Sequence, residues 1–374
     1  MLAWSASRRQ PAKCSASPGV AKASLRLRLC CCNWPDVELP CAFGGPCLRG
    51  VLRATPEDFF VDEDLGFAPD GAGEHVFVRV EKRGANTDFV AKELARFAGV
   101  RPDWVSYAGL KDRHAVTRQT FSIHLPGKAD PDWQALAHAE FRVLETARHS
   151  RKLQRGALKG NRFRIVLREV QGNRDAAVAI VEAIRAHGVP NYFGEQRFGR
   201  ESANVERAKA MFAGRRVQRH ERSLFLSAAR SHLFNGVLAV RVERGDWNRP
   251  LEGDVFMLAG THSIFGPEAL TPELIARCTS GDIDPTGPMW GAGELRSAGV
   301  VAELEKAVAA GHRELAEGLA VNGLRQERRG LVLRPPELAI DWPTEACAQL
   351  SFYLKSGAYA TVLIREMFDT SGAS

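Results

Sequence analysis

The sequence predicts an α+β fold, in which a mixed, mainly antiparallel sheet with flanking helices is interrupted by an inserted α/β domain. Three observations predict this fold. Segments that alternate apolar and polar residues, as strands do, occur both in the first half of the chain and near its end. Segments with one apolar face at helical spacing follow the early strands. Between about residues 190 and 319 the sequence pattern changes to long helical segments, which are joined by connections rich in glycine and proline.

The first elements are two strands and a helix. Strands are predicted from "VLRATPEDFFVDED" and from "EHVFVRVEK", in which valines alternate on one face. A helix is predicted in "NTDFVAKELARFAGV", with Asn86 or Thr87 as its cap and Gly99 as its end. An amphipathic helix next to an alternating strand indicates that the helix packs on the sheet.

The segment "YAGLKDRHAVTRQTFSIHLP" joins a charged cluster to the next strand. Lys111, Asp112 and Arg113 come directly before a strand whose apolar face carries Phe121 and Ile123. Neighbouring cations favour the ionised form of a carboxylate and leave it available as a nucleophile or base. Asp112 is therefore a candidate catalytic residue, and an exposed loop without chemistry is the alternative.

A basic zone follows this motif. In "GNRFRIVLREV", apolar residues alternate with arginines, which predicts a strand with one apolar and one basic face. Residues 146–168 contain no acidic residue. Such clustering favours phosphate contacts with RNA or DNA over a solvated charged face. The basic residues of this zone are Arg148, Arg151, Lys152, Arg155, Lys159, Arg162, Arg164 and Arg168, and a smaller set comprises Arg215, Arg216, Arg219 and Arg222.

The remaining elements complete the domain division. A helical piece is predicted near residues 133–141, and "DAAVAIVEAIRAHG" predicts a helix that ends at Gly188. Strand alternation returns at Leu350, Phe352 and Leu354, so we expect the end of the chain to rejoin the first sheet. The predicted parts are residues 39–189 for the first part of the main domain, 190–319 for the insertion and 320–374 for the closing part.

Composition excludes several classes of protein. The chain has 374 residues, of which 45% are hydrophobic and 25% charged. It has no apolar run that approaches the roughly 18 residues of a membrane span. Of the net charge of +7, residues before 39 contribute +4, from six basic and two acidic residues. The net charge of the remaining chain is therefore small, and nucleic-acid binding is inferred from the clustering of its basic residues. Phosphate-loop and dinucleotide signatures are missing, and the cysteines lack zinc-ligand spacing, so no cofactor or metal is expected.

The first 38 residues form a leader rich in Ser, Ala and Arg, with no acidic residue before Asp36. Such a composition is typical of an organellar transit peptide. A disordered or over-extended start is the alternative that we favour. Six of the eight cysteines lie within the first 47 residues, which leaves a body of the reduced, cytoplasmic type.

The motifs resemble those of a known family. "YAGLKDRHAVTRQ" resembles the signature of the TruD family of tRNA pseudouridine synthases, and further similar segments are "ATPEDFFVDEDLGFAPDGAGEH", "RHSRKLQRGALKGNRF", "GVPNYFGEQRFG", "LSAARSHLFN" and "SGAYATVLIRE". Together they cover the chain from about Leu39 to its end. The resemblance implies a pseudouridine-synthase-type sheet with an inserted TruD-specific domain. It also implies an isomerase that converts uridine 13 of transfer RNA to pseudouridine without cofactor or metal.

The resemblance also implies roles for single residues. Asp112 corresponds to the nucleophile, which attacks either the ribose C1′ or the uracil ring of a flipped-out uridine. Flipping is required because a stacked base exposes neither atom to a side chain. Arginines and lysines of the basic zone would contact the RNA backbone, namely Arg148, Arg151, Lys152, Arg155 and Lys159. The implied substrate-binding residues are Phe59, Asn161, Phe163, Tyr359, Arg53 and Lys111.

Three positions depart from the family pattern, which often has Phe at Tyr359 and Lys at Arg53 and Arg113. We expect transfer RNA as the partner of a cytoplasmic monomer, with no membrane and no protein partner. One alternative is a non-catalytic RNA-binding protein that uses the same basic cleft. Another is a different RNA-modifying enzyme, such as a glycosylase that releases the base.

Overall fold

Residues 39–371 are described by the computed structural model of the chain, and the predicted leader lies outside them. The strands are β1 Leu48–Leu52, β2 Phe59–Asp64, β3 His75–Arg83, β4 Val105–Tyr107, β5 Val116–His124, β6 Phe141–His149, β7 Gly160–Gly172, β8 Val189–Pro190, β9 Phe256–Leu258, β10 Ile264–Phe265, β11 Ile283–Met289, β12 Glu327–Gly330, β13 Val332–Leu333, β14 Ala339–Thr344, β15 Cys347–Lys355 and β16 Phe368–Asp369. The helices are α1 Thr87–Phe97, α2 Arg174–His187, α3 Ala203–Phe212, α4 Arg219–Glu243, α5 Pro272–Ser280, α6 Gly299–Gly311, α7 Arg313–Val321 and α8 Ala360–Ile364.

The main sheet has the order β14-β15-β7-β2-β5-β3-β6, with β1 and β4 added beside β7 and β5 and β16 beside β1. The β2–β5 and β1–β16 pairs are parallel, and the others are antiparallel. The predicted mixed, mainly antiparallel sheet is therefore confirmed. Because β15 pairs with β7 from Ala348 to Lys355, the expectation that the end of the chain rejoins the first sheet is also confirmed.

Both α1 and α2 pack on the same face of this sheet. The valines of β3 and the apolar residues of α1 form one buried cluster, and the apolar residues of β7, β15 and α2 form another. Cross-strand partners point to the same face of a sheet. Val61 on β2 is paired with Thr117 on β5, and Thr117 is paired with Lys82 on β3. The register thus places both clusters on one face, with polar positions between them.

The opposite face carries charged side chains. Arg79 contacts Asp62 at 2.7 Å and Glu145 at 3.3 Å, and Arg164 lies over the Phe60 ring at 5.0 Å. The alternation predicted for β7 is confirmed, since Ile165 and Leu167 are fully buried while Arg164 and Arg168 are exposed. The predicted helical piece at residues 133–141 is wrong, because only Trp133–Ala135 forms a 3-10 turn and β6 begins at Phe141.

The region after α2 begins and ends at neighbouring positions. Strand β8 pairs antiparallel with β13, so the chain leaves this point and returns to it. Between the two lie a helical group that includes the long α4 and a small sheet of order β10-β9-β11-β12. The division into domains at residues 190 and 319 stays a prediction. Within residues 39–371, no helix combines the length and the apolar character that crossing a bilayer requires.

The two ends of the described chain are joined through a buried carboxyl group. The Glu366 Oε2 atom accepts hydrogen bonds from the backbone N–H groups of Ala42 at 2.9 Å and Phe43 at 3.3 Å. Glu366 is fully buried, and burial raises its pKa to about 7. The parallel pairing of β1 with β16 continues this junction.

We expect Glu366→Gln to remove a pH dependence of stability. Because the folded pKa of about 7 lies above the ordinary value of 4.5, the folded protein holds a proton that the unfolded chain releases between these values. The free energy of unfolding therefore falls as pH rises through this window. The total loss is on the order of 3 kcal/mol, and it is complete above pH 7. Urea denaturation at pH 5 and pH 8 measures this loss, which the variant should lack.

The exposed Glu268 offers a matched control, since Glu268→Gln should keep the wild-type difference between the two pH values. An equal fall in stability for Glu366→Gln and the wild type would contradict the assignment.

Candidate active site

Buried polar side chains occupy the seam between the two apolar clusters. Apolar packing is interrupted here, although an unpaired polar group in the interior costs free energy. Each member of this group is at most 3% exposed, and we call it the polar seam: Glu63, Lys82, Thr87, Thr117 and Gln119. The loop that carries Asp112 lies over it, as the following contacts show.

A buried ion pair anchors that loop. The Lys111 ammonium lies 2.7 Å from Glu63 Oε2, with side chains 8% and 0% exposed, respectively. Glu63 Oε1 also accepts a hydrogen bond from the Thr120 backbone N–H at 3.0 Å. Lys111, predicted to bind substrate, therefore points into the polar seam and holds the loop against β2 and β5.

Hydrogen bonds from α1 and β5 fix the loop further. The Thr87 hydroxyl accepts from the Lys111 backbone N–H at 3.0 Å and donates to Gln119 Oε1 at 3.1 Å. The Gln119 amide donates to the Gly109 carbonyl at 3.4 Å. Thr117 Oγ1 is buried and has no hydrogen-bond partner among the described residues. The loop before Asp112 is thus held by side chains from three elements.

Asp112 pairs with a cation that is remote in sequence. Its Oδ2 lies 2.8 Å from Arg53 Nη2, with side chains 21% and 28% exposed, and its Oδ1 accepts from the His114 backbone N–H at 3.0 Å. The adjacent Arg113 donates instead to the Gly84 carbonyl at 3.2 Å. Asp112 is therefore partly accessible, and its ion-pair partner in this arrangement is Arg53.

Aromatic rings support this pair and extend from it. The Arg53 guanidinium lies 4.3 Å from the Phe59 ring centre, and Phe59 meets Phe163 edge to face at 6.2 Å. Phe163 stacks on Phe352 of β15 at 5.2 Å. Phe59 is 4% exposed, so it supports Arg53 from the interior, whereas Phe163 is only partly buried.

Asn161 lies on the same face of the sheet. Its register partner on β2 is Glu63, as that of Phe163 is Val61. Asn161 Oδ1 is buried and lacks a hydrogen-bond partner within the described part of the chain. An unmet buried acceptor costs free energy until a donor reaches it, which makes this atom suited to a ligand N–H.

Tyr359 belongs to a second group of contacts. Its hydroxyl accepts from Arg197 Nε at 2.8 Å, and its ring meets Phe193 at 6.0 Å. Arg197 also donates to Ser227 of α4 at 2.7 Å. The neighbouring Ala360 packs in the same apolar cluster as Phe352. The structure therefore joins Tyr359 to the segment after α2, while Arg53, Phe59, Asn161 and Phe163 gather around Asp112 and the polar seam.

Most of the predicted RNA-backbone residues lie on one exposed loop beside the Asp112 loop. The Gly156 N–H donates to the Ala108 carbonyl at 2.7 Å, and the Lys159 N–H donates to the Asp64 carbonyl at 2.9 Å. We call residues 150–159 the basic loop. Its exposed cations are Arg151, Lys152, Arg155 and Lys159.

Arg148 and Arg155 are more constrained than the others. The Arg148 guanidinium donates to the carbonyls of Leu125 at 3.2 Å and Lys128 at 2.7 Å, and it also pairs with Asp130. Arg155 lies over the Tyr107 ring at 3.9 Å. Arg148 therefore holds neighbouring turns and has few donors left for a phosphate.

Sequence reasoning missed Glu63, Thr87 and Lys82. The Lys82 ammonium donates to the carbonyls of Ala85 and Asp112, each at 2.8 Å. A signal was present, since Lys82 shares the face of β3 that carries the buried valines. A lysine at an apolar position of a strand indicates a buried partner.

The fold matches that of a solved structure. The crystal structure of a putative tRNA pseudouridine synthase D (TruD) from Methanosarcina mazei superimposes with a TM-score of 0.67. The two sequences are 24% identical, and the match covers 87% of this chain and 95% of that one. The similarity establishes the fold class.

Sequence comparison gives the family. The model of tRNA pseudouridine synthase D (TruD) matches residues 42–210 and 205–367. Proteins named tRNA pseudouridine synthase D from Methylococcus capsulatus and Aeromonas hydrophila are 50% and 49% identical, over 90% of this chain and 96% and 95% of their own lengths. One from Xanthomonas axonopodis pv. citri is 48% identical over 90% of this chain. The chain belongs to the TruD family, as the resemblance predicted.

We expect Lys111→Met to destabilise the fold by about 3–5 kcal/mol, because it leaves the Glu63 carboxylate buried without its cation. The double variant Lys111→Met with Glu63→Gln removes both charges and should recover much of this loss. Urea denaturation of the single and double variants measures both effects.

Lys128→Met removes an exposed lysine and serves as the control, with an expected change below about 0.5 kcal/mol. A single variant at Lys111 as stable as this control would show that the buried pair does not anchor the loop.

Proposed function

We propose that this chain isomerises uridine 13 of transfer RNA to pseudouridine, with Asp112 as the nucleophile. The observation that carries the proposal is the Arg53–Asp112 ion pair of 2.8 Å, partly accessible and placed beside the aromatic pair Phe59 and Phe163. Membership of the TruD family supports the class of reaction. The names of the relatives, tRNA pseudouridine synthase D, support transfer RNA as the substrate.

The reaction exchanges one bond to the ribose for another. The Asp112 carboxylate attacks either C1′ of the ribose or the uracil ring of a flipped-out uridine. The bond from N1 to C1′ breaks, the uracil turns, and C5 forms the new bond to C1′. C5 loses its proton, N1 gains one, and the carboxylate is released unchanged. No electrons are gained or lost overall, so the isomerisation needs neither an oxidant nor a reductant.

The residues around Asp112 would position the carboxylate and bind the base. Arg53 keeps the Asp112 carboxylate in place while its guanidinium rests on Phe59. The partly buried Phe163 offers a ring for contact with the everted base. The unpartnered Asn161 oxygen can accept the uracil N3–H, which satisfies an atom that is otherwise buried without a donor. Tyr359 would close the pocket from the segment bound to Arg197.

The basic loop would position the RNA without reading its sequence. Its exposed cations lie next to the strand that leads into the Asp112 loop. Phosphate contacts there would place the target nucleotide over the carboxylate. Cytoplasmic location and a monomeric state stay predictions from the sequence.

The substitution Asp112→Asn tests the assignment of the nucleophile. We expect the variant to bind transfer RNA with nearly wild-type affinity and to form no pseudouridine, because the amide is neutral and a poor nucleophile. Carbodiimide labelling followed by mass mapping of the RNA locates any pseudouridine formed. The exposed Asp341→Asn is the control and should retain activity.

Product at wild-type levels from Asp112→Asn would remove Asp112 from the mechanism. Pseudouridine at another position only would contradict the specificity for uridine 13. Free uracil in the wild-type reaction would instead support a base-releasing glycosylase.

A non-catalytic RNA-binding protein is the second candidate, and the exposed cations of the basic loop favour it as far as binding alone is concerned. Such a protein would bind transfer RNA with the same affinity in Asp112→Asn and would yield no pseudouridine even as wild type. Product formation by the wild-type chain therefore separates the two candidates.

Substituting Arg151, Lys152 and Lys159 together by Gln should weaken transfer RNA binding. The slope of log affinity against log salt should become shallower by about one for each phosphate contact removed. Binding titrations at several salt concentrations measure both quantities.

Two substitutions serve as controls for the basic loop. Arg148→Gln should mainly lower stability, since its guanidinium holds the Leu125 and Lys128 carbonyls. Lys306→Gln removes an exposed lysine on α6 and should leave binding unchanged. An unchanged salt slope in the triple variant would exclude the basic loop from the RNA interface.

A further inference from the structure

Lys82 is a fully buried lysine on β3, with 0% of its surface exposed. Lysine is almost never buried in this way unless it is paired, because removing the ammonium from water is costly. Its Nζ donates to the Ala85 carbonyl at 2.8 Å and to the Asp112 carbonyl at 2.8 Å. The fold thus places a cation in its interior to hold the backbone of the proposed nucleophile.

The charged groups around Lys82 are committed to other partners. Lys111 pairs with Glu63, Asp112 pairs with Arg53, and Arg113 donates to the Gly84 carbonyl. The register partners of Lys82 are Thr117 on β5 and Phe141 on β6, and neither carries a charge. Within the described residues, Lys82 therefore forms no ion pair within 4 Å with a carboxylate oxygen.

Burial has a measurable effect on this ammonium. It lowers the pKa of Lys82 to about 8, although the negative charge of Asp112 acts in the opposite direction and Lys111 adds to the fall. The charged donor therefore becomes neutral within the range in which an enzyme can be assayed. Hydrogen bonds from a charged donor are roughly twice as strong as those from a neutral one.

The contact with the Asp112 carbonyl matters because the backbone directs the side chain. The Asp112 carboxylate is held on one side by Arg53 and the His114 N–H, while Lys82 holds the main chain from below. A displacement of about 1 Å at a reacting group can cost about 100-fold in rate. Loss of this anchor would thus affect the chemical step more than RNA binding.

We propose that Lys82 is a positioning residue, whose protonated ammonium holds the Asp112 backbone so that the carboxylate meets the target nucleotide. This inference rests on the proposed function. It adds a residue that acts through Asp112 and does not itself touch the substrate.

The test compares Lys82→Met with the wild type and with Lys92→Met, a matched control that removes an exposed lysine on α1. Methionine has a similar length and is tolerated in the interior. We expect kcat for pseudouridine formation to fall about 100-fold while KM for transfer RNA changes less than about threefold. Lys92→Met should keep wild-type kcat, and wild-type kcat in Lys82→Met would overturn the proposal.

The pH profile supplies a readout that a purely structural role would not change. Single-turnover rates of the wild type between pH 6.5 and 9.5 should fall with a midpoint near 8, as Lys82 loses its proton. The remaining rate of Lys82→Met should lack this fall. An alkaline fall of equal midpoint in both proteins would contradict the role of the ammonium.

Circular dichroism and thermal unfolding establish whether Lys82→Met folds, and Lys82→Gln provides a second neutral variant. If neither folds, the wild-type profile decides, since a rate that stays constant across pH 8 would overturn the proposal. Failure of the proposed function looks different, because the wild type itself would then form no pseudouridine. An active wild type and an inactive Asp112→Asn, with Lys82→Met unchanged, would overturn only the role of Lys82.

Discussion

The buried ion pair between Lys111 and Glu63 fixes the position of Asp112. A charged pair in the interior is costly to desolvate and tolerates little displacement once its hydrogen bonds are made. Here the pair lies in the polar seam, and Glu63 is further bound to the Thr120 N–H. The loop therefore cannot shift along the sheet without exposing or orphaning a charge. Asp112, the next residue, is presented by the rigid interior of the sheet although it stands on a loop.

Much of the fold was predictable because it depends on local periodicity. The valines of β3, the apolar face of α1 and the alternation in β7 are all visible within short windows of sequence, and each was confirmed. The return of β15 to β7 was also predictable, from alternation at Leu350 and Phe352. The short helix expected near residues 133–141 was wrong, since Phe141 is taken up as the first residue of β6. Strand pairing at that point outweighed local preference.

The site was predictable in part. Its charged neighbours made Asp112 the candidate nucleophile, and family motifs indicated Phe59, Asn161 and Phe163, whose roles stay predictions. Sequence proximity does not give the ion-pair partner of Asp112: Lys111 and Arg113 are adjacent to it in the chain, yet its ion pair is made by Arg53. Arg53 follows β1 and Asp112 lies in the loop between β4 and β5, so their contact depends on how two segments remote in sequence fold together, which no short window contains. The same limit applies to the basic zone, where exposed and internally bonded arginines look alike in sequence.

The placement of β15 has a consequence for how the protein is made. Phe352 lies against Phe163, and β15 pairs with one edge of β7. The strands on the other edge, β1 and β2, precede β7 in the chain and are synthesised before it. During synthesis on the ribosome, β7 is made almost two hundred residues before β15, the strand that covers its second edge. Until then that edge presents free backbone groups to water and to other nascent chains. The synthesis of β15 thus determines when this edge of β7 is protected from pairing with other chains.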